Sequence, residues 1–211
     1  MSGTLYIARH GESEWNAKGV WTGSTDVHLS PKGFKQAAQL GEALKGVKLD
    51  FAYCSQQVRA LETLEGILDA SGNTSVDFAR SSAINERDYG VYTGKNKWEV
   101  QKEVGEEAFE NIRRGWNETV EGGETLKDVY DRAVPFYQSE IVPKVLSGKN
   151  ILVVAHGNSI RSLMKYIESI SDAEISNTEM ILGEILVYNL DNDGKQTSKE
   201  VIKIDTTPTN A

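Results

Sequence analysis

Leu5-Tyr6-Ile7-Ala8-Arg9-His10-Gly11-Glu12-Ser13 is the stretch on which the reading of the fold turns. An apolar run ends, and Arg, His and Gly follow at once. The run reads as a buried strand leaving a sheet, although its length alone also suits a helix segment. Gly11, lacking a Cβ, permits a sharp turn or a close approach to a ligand. An imidazole and a guanidinium would then stand at the C-terminal edge of a sheet, where open α/β folds bind ligands. The layout returns late as Ile151-Leu152-Val153-Val154-Ala155-His156-Gly157-Asn158-Ser159. The chain holds three histidines, and two of them follow an apolar run, precede glycine and stand three residues before serine. A lone His-Gly is most simply a turn or a satisfied core histidine. The repeated layout argues for a shared role.

Outward from the first strand, at residues 4–8, the segment 11–29 is rich in Gly, Asn, Thr, Asp and Trp. It lacks a clear period and reads as a functional loop with a short helical turn. Ser30 suits an N-cap and Pro31 the first helical position. Phe34, Ala37, Ala38, Leu40, Gly41 and Leu44 then form an apolar stripe that Gly46 closes. Leu49 to Tyr53 is a strand ending at Cys54-Ser55, and Gln57 to Ala70 a helix with Leu61, Leu64, Ile67 and Leu68 on one face. Val76 and Phe78 alternate with Asp77 as a short half-exposed strand before Asn85-Glu86-Arg87.

Lys97 to Arg114 reads as a shallow helix, with a weak stripe of Val100, Val104, Phe109 and Ile112. A stronger helix carries Leu126, Val129, Ala133, Tyr137 and Ile141, kinked or divided by Pro135 and Pro143. After the strand at 151–155, Asn158 or Ser159 would cap a helix through Leu163 to Ile167. Glu184 to Leu190 is a strand, Asn192-Asp193-Gly194 a turn, and Val201-Ile202 an edge strand within a polar, mobile tail over 195–211. Strands alternating with long helices predict a three-layer α/β/α fold with a mostly parallel central sheet. No linker divides the chain, so one domain is expected over residues 1–211.

Composition narrows the partners. A formal charge of −8 with no Lys/Arg-rich block argues against nucleic acid and anionic membranes. The single cysteine, Cys54, rules out an intrachain disulfide and a cysteine-rich metal site. No run approaches roughly 18 apolar residues, and Met-Ser-Gly-Thr lacks the basic-then-apolar layout of a signal peptide. A cytoplasmic protein is expected. An acidic chain can still enclose a small cationic pocket.

That pocket is the chemical expectation. The sheet edge gathers Arg9 with His10 and His156, and the second strand-helix unit adds Arg59. Two guanidiniums and two imidazoles make a compact anion site, and arginine's planar fork suits a phosphoryl group. Backbone N–H groups at Gly11 or Gly157, and the helix start near Asn158, could add donors. The histidines lack the short-spaced partners of a zinc site, and the arginines would repel a divalent cation, so no metal is expected. A neutral imidazole can attack phosphorus and form a phosphohistidine. The second histidine, remaining cationic, would hydrogen-bond the transferring oxygens. Glu86, in a loop beside the sheet, is the candidate proton donor and acceptor.

With these residues in place, the chain resembles the cofactor-dependent phosphoglycerate mutases of the histidine phosphatase superfamily over nearly its whole length. The motifs that carry the resemblance begin with Arg9 through Asn16, Thr22-Gly23, Asp26 and Leu29-Ser30. Ser55, Arg59-Ala60 and Thr63 follow, then Asn85-Glu86-Arg87 with Tyr89-Gly90, and Gly94 through Lys97. Arg113-Arg114, Glu124 through Asp128 and Ala155 through Ser159 complete them.

The resemblance implies that His10 is the phosphorylated nucleophile. Arg9, Arg59 and His156 would hold the phosphoryl group and Glu86 would move the proton. Ser13, Asn16, Thr22, Gly23, Arg87, Tyr89, Lys97, Arg113, Arg114, Gly157 and Asn158 would surround the rest of the substrate. It further implies interconversion of 3-phosphoglycerate and 2-phosphoglycerate in glycolysis and gluconeogenesis, primed by 2,3-bisphosphoglycerate without a metal. Family members occur as monomers, dimers and tetramers, which leaves the oligomeric state open. Trp21-Thr22-Gly23-Ser24 stands where the family commonly has Phe-Thr-Gly-Trp, Ala17 stands where a lysine is often seen, and the segment between Arg114 and Glu124 is shortened.

A phosphatase hydrolysing small phosphomonoesters is the alternative, since it shares the first half-reaction but gives the phosphohistidine to water. A mutase must retain a monophosphoglycerate, which needs a second cationic group for the carboxylate. Lys97, Arg113 and Arg114 are the candidates, and they favour the mutase.

Overall fold

The computed structural model describes residues 2–204. Its sheet comprises β1 (Leu5–Arg9), β2 (Phe51–Ser55), β3 (Phe78–Ser81), β4 (Ile151–Ala155), β5 (Glu184–Leu190) and β6 (Gln196–Lys203). The order across it is β3-β2-β4-β1-β5-β6. β3, β2, β4 and β1 run parallel, and β5 is antiparallel to both β1 and β6. The helices are α1 (Glu14–Ala17), α2 (Pro31–Ala43), α3 (Val58–Ser71), α4 (Lys97–Val104), α5 (Glu106–Arg114), α6 (Leu126–Phe136), α7 (Val142–Leu146) and α8 (Gly157–Ile167). The expected three-layer α/β/α arrangement is the one that forms.

Strand side chains alternate between faces, and the two faces bury separate clusters. Leu5, Ile7, Tyr53, Ile151, Val153 and Ala155 meet Ala133, Ile160, Leu163 and Ile167 from α6 and α8. Ala8, Ala52, Cys54, Leu152 and Val154 meet Leu40 of α2 and Leu64 and Ile67 of α3. β4, buried along its whole length, is a continuous apolar run because both its faces are covered. A third cluster of Trp21, Tyr89, Val100, Phe109, Ile112 and Val120 lies outside the sheet.

Several local expectations shift. The buried face of α2 carries Gly33, Gln36, Ala37, Leu40 and Gly41, whereas Phe34 is 48% exposed and Ala38 also faces outward. Close backbone approach explains the rotation. A Cβ on Gly11 would lie 2.4 Å from the Gly33 oxygen, and one on Gly33 would lie 2.1 Å from the Glu12 oxygen. Only glycine admits that contact, so Gly11 serves helix packing here. Gln36 seals the junction by accepting the Glu12 N–H at 2.8 Å. The expected N-cap is present, with Ser30 Oγ accepting from the Gly33 N–H at 3.1 Å.

β2 starts at Phe51 because the Leu49 N–H is taken by Asn73 Oδ1 at 3.1 Å. β3 starts at Phe78 because Val76 turns back, its N–H on the Asn73 oxygen at 3.1 Å. The helix expected over Lys97 to Arg114 is two helices, broken at Gly105 with φ 82°, a conformation that glycine adopts readily. The helix after Thr125 is divided as expected. A π-helical segment, Tyr137–Ile141, separates α6 from α7, with Pro135 and Pro143 on either side removing backbone donors.

The N-cap of α8 is His156 itself, with Ser159 Oγ reaching back to accept its N–H at 3.1 Å. Asn158 and Ser159 therefore lie inside the helix. Of the segment read as a tail, Gln196–Lys203 pairs with β5 as an edge strand, longer than expected, and residues 205–211 lie outside the described residues. Among the described residues no helix is long and apolar enough to cross a membrane.

The rotated stripe of α2 has a measurable consequence. Leu40 is fully buried, so Leu40→Ala should lose about 2–5 kcal/mol. Phe34→Ala should stay within about 0.5 kcal/mol. Urea midpoints of the two variants test this, and a comparable loss in Phe34→Ala would contradict the observed face.

Candidate active site

The register of β1 against β4 pairs Arg9 with Ala155, and the His10 N–H continues the ladder onto the Ala155 oxygen at 3.0 Å. The next residue on each strand is a histidine. Two imidazoles far apart in sequence are thereby set side by side, their ring centroids 4.8 Å apart. His10 is 3% exposed and His156 is 0% exposed, so neither ring depends on solvent for its orientation.

Nδ1 of His10 lies 2.6 Å from the Gly11 carbonyl oxygen. A carbonyl only accepts, so Nδ1 carries the hydrogen and the neutral ring keeps its lone pair on Nε2. His156 Nε2 is 2.7 Å from Ser55 Oγ, and its Nδ1 is buried without a partner. A Ser55 hydroxyl donating to Nε2 leaves the hydrogen on that Nδ1. Arg59 is anchored by donating to the Thr25 and Gly23 oxygens at 2.9 and 3.1 Å. Arg9 donates to the Met180 oxygen at 2.8 Å. In each arginine Nε is buried and unpaired, as is Thr22 Oγ1. Buried polar atoms rarely lack partners, and these belong to residues gathered around the two imidazoles.

The charges reinforce the geometry. Burial first, and then Arg59 and Arg9, hold the His10 imidazole well below its ordinary 6.5. Burial and the same arginines, with His10, do so for His156. The second histidine, expected to be cationic, is therefore neutral in the free protein because a cation there would be desolvated beside two guanidiniums. Burial also lowers Lys97 to about 8, helped by Arg9 and Arg113, and Arg59 to about 10. Their positive charge persists at neutral pH.

One pocket collects most of the remaining expected residues. Asn16, Thr22, Gly23, Glu86 and Tyr89 line it with Arg9, His10 and Arg59, as do Lys97, Arg113, Arg114, Gly157 and Asn158. Its cavity of about 110 Å³, at roughly 10–15 Å³ per water, admits a small metabolite and excludes a folded macromolecule. Glu86 Oε1 accepts the Arg87 and Asn158 N–H groups at 2.9 and 3.1 Å. Asn158 Nδ2 donates to the Tyr89 hydroxyl at 2.8 Å. Arg113 and Arg114 both pair with Glu110 at 2.9 Å, and Arg114 also with Glu179 at 3.1 Å.

Three expected residues, Ser13, Arg87 and His156, are not on the wall. His156 is fully buried against His10. Ser13 caps α1, accepting the Asn16 N–H at 3.1 Å, and so supports a residue that is. Arg87 is fully buried and turned away, donating to the Glu124, Ile112 and Glu118 carbonyl oxygens. The Gly11 N–H, a proposed anion donor, is already committed to Thr63 Oγ1 at 3.0 Å.

Trp21, Arg161, Glu179 and Met180 also line the pocket and escaped the sequence reading. Arg161 was within reach, because it stands three residues after Asn158 on the same helical face and donates to Asn158 Oδ1 at 3.0 Å. Glu179 and Met180 lie in an irregular segment without a period to mark them. The described residues contain no group of metal-ligating side chains.

A buried histidine pair beside an arginine-lined pocket, at the C-terminal ends of two parallel central strands, defines a class, and the sequence pattern of that class matches. The chain belongs to the histidine phosphatase superfamily (branch 1), matched over residues 5–202. Among its relatives, the 2,3-bisphosphoglycerate-dependent phosphoglycerate mutase of Rhizobium meliloti (strain 1021) is 41% identical over 204 residues, 96% of this chain and 97% of that protein. The phosphoglycerate mutase of Schizosaccharomyces pombe is 42% identical over 200 residues, 94% of this chain and 95% of that protein. Among solved structures, Bacillus stearothermophilus YhfR superposes with a TM-score of 0.80 at 27% identity, covering 93% of this chain and 98% of that one. A mycobacterial glucosyl-3-phosphoglycerate phosphatase shares the fold, with a TM-score of 0.79 at 20% identity over 96% and 98% of the two chains.

The buried imidazoles predict a split histidine titration. His28 is exposed and its hydrogen bond to Glu62, at 2.6 Å, raises it above 6.5. His10 and His156 stay neutral well below that value. Below about pH 6.5 the unfolded chain then binds more protons than the native one at these two positions, so they make stability fall on acidification. Imidazole NMR across pH in phosphate-free buffer checks this. Titration of either buried ring at or above 6.5 would contradict it.

Proposed function

We propose that the chain interconverts 3-phosphoglycerate and 2-phosphoglycerate through a phosphohistidine on His10. The observation that carries this reading is a pocket with two cationic groups. One is the unpaired donor set of Arg9, Arg59 and His156 around His10, suited to a phosphoryl group. The other is Lys97 with Arg113 and Arg114 on the same wall, suited to the carboxylate of a retained monophosphoglycerate. A phosphatase has no need of the second. The names of the relatives, at 41–42% identity over nearly the full length, support the same reading.

The pocket chemistry also fits 2,3-bisphosphoglycerate, since Arg9, Arg59, Lys97, Arg113, Arg114 and Arg161 line the pocket with two carboxylates, Glu86 and Glu179, while Glu110 pairs with Arg113 and Arg114 from outside that lining. That molecule would be held by these cations and would supply the phosphoryl group that primes His10. The chain's own residues do the rest. In one direction the N–P bond on His10 breaks as an O–P bond forms at a substrate hydroxyl, whose proton passes to Glu86. In the return at the neighbouring oxygen, the O–P bond breaks, Nε2 of His10 takes the phosphorus, and Glu86 gives its proton to the departing oxygen.

The Gly11 carbonyl holds the Nδ1 hydrogen throughout, so Nε2 is the only nitrogen offered. Arg9, Arg59 and His156 stabilise charge on the transferring oxygens without reorganisation, the usual main contribution in phosphoryl transfer. The same reading treats residues 1–211 as one domain, without a metal, and gives a glycolytic and gluconeogenic enzyme a cytoplasmic location.

A coupled assay of 3-phosphoglycerate conversion, with phosphate release measured in parallel, tests the reading. Conversion stimulated by 2,3-bisphosphoglycerate and faster than hydrolysis is expected, and hydrolysis alone would refute it. Replacing both Arg113 and Arg114 with Ala should reduce mutase turnover far more than phosphohistidine formation, whereas equal losses would remove the carboxylate clamp.

Lys97 supplies a pH test. Its folded value of about 8 means the cation is present below that pH and lost above it. kcat/KM for 3-phosphoglycerate, which reports the free enzyme, should therefore fall as pH rises through about 8. Lys97→Met should lower kcat/KM at pH 7 and flatten that limb, and an unaltered limb would exclude Lys97 as its source.

A further inference from the structure

Glu86 is the one proposed reacting group that is not carried by a strand end or a helix. It sits in a loop, and a proton donor is useful only if its carboxyl is held within hydrogen-bond reach of the reacting oxygen. We propose that Arg132, on α6, is the positioning residue for Glu86. This rests on the mutase reading above, because it concerns how that reading's acid is held.

Arg132 Nη1 donates to the Ala83 oxygen at 2.8 Å and the Asn85 oxygen at 3.0 Å, and Nη2 donates to the Glu86 oxygen at 3.2 Å. The same guanidinium makes a forked pair with Glu124, Nε to Oε1 at 2.9 Å and Nη2 to Oε2 at 3.0 Å. Glu124 then closes the grip from the other side, its Oε2 accepting the Asp88 N–H at 3.0 Å. The backbone of 85–88 is thus held at its carbonyls by the arginine and at an amide by the carboxylate that the arginine orients. A lysine has one nitrogen and no fork, and cannot reproduce this set.

The helix that presents Arg132 is itself well fixed. The Thr125–Asp128 capping box starts α6, and the neighbouring Ala133 is fully buried in the core cluster that includes Ile160 and Leu163 of α8. The same α8 supplies the Asn158 N–H to Glu86 Oε1. Backbone and carboxyl of Glu86 are therefore referred to two helices of one rigid layer. Arg132 stays off the phosphoryl pocket and lines a separate cleft on the far side of the loop, with Glu86 on the wall of both.

Leaving-group dependence separates positioning from a structural role. An alkyl phosphate needs its departing oxygen protonated, and p-nitrophenyl phosphate does not. Phosphohistidine formation from 2,3-bisphosphoglycerate should slow by about 10²-fold in Arg132→Met, the scale of an ångström-sized misplacement. Formation from p-nitrophenyl phosphate should change little. Glu86→Gln should show the same selectivity with a loss of about 10²–10⁴-fold, and adding Arg132→Met to it should cause little further loss. Arg132→Lys guards against a variant that fails to fold, and should lie between the parent protein and Arg132→Met. Guanidinium at sub-denaturing concentration, entering the open cleft, should restore part of the alkyl phosphate rate.

Equal losses on the two donors, or a multiplicative loss in the double variant, would overturn the assignment of Arg132 and leave the mutase reading standing. Failure of the parent protein to form an acid-labile adduct on His10 with either donor would overturn both.

Discussion

The hydrogen-bonded register between β1 and β4 is the constraint on which the rest of the structure depends. Arg9 opposes Ala155, and the two chains leave the sheet together, so the first residue past each strand shares one small volume. A slip of one residue would send every strand side chain to the opposite face. It would also separate the imidazoles. The apolar alternation that fills both faces therefore also aligns His10 with His156. Packing and chemistry are specified by the same register.

Around that pair the protein builds a cationic pocket inside a chain of net charge −8. Its buried cations are not balanced by nearby carboxylates alone. Arg59 is held by backbone oxygens of the Gly23–Thr25 loop, and Arg161 by those of Arg114, Ile175 and Thr178. Carbonyl dipoles orient a guanidinium without neutralising it, so its charge remains available to an anion. Burial, reinforced by the same excess charge, keeps both imidazoles neutral, which preserves the lone pair that nucleophilic attack requires. Arg87 and Arg132 use the same carbonyl contacts for a different end, pinning the loops at 83–88 and 112–124.

Residues whose role follows from strand and helix period were legible in the sequence. The apolar runs ending at Arg9 and Ala155, the Ser30 cap and the bounds of β5 all follow from local pattern and turn chemistry. The face of α2 did not, because the Gly11–Gly33 contact is a tertiary event that overrides the stripe through Phe34. The orientation of Arg87 was also hidden. The resemblance implied a substrate contact, but the Arg87 guanidinium is taken up by the Glu124, Ile112 and Glu118 carbonyl oxygens. Glu179 and Met180 reach the pocket from an irregular segment, where neither period nor composition indicates direction. The charge state of His156 required knowing that no solvent reaches the ring.

The central claim is that two imidazoles flank one phosphoryl group, with Nε2 of His10 bonded to it and His156 donating to its oxygens. A crystal structure of the protein with orthovanadate tests this most directly. Vanadium within bonding distance of His10 Nε2, its oxygens held by Arg9, Arg59 and His156 Nδ1, is the predicted result. Vanadate bonded to His156, or bound away from the histidine pair, would contradict the account.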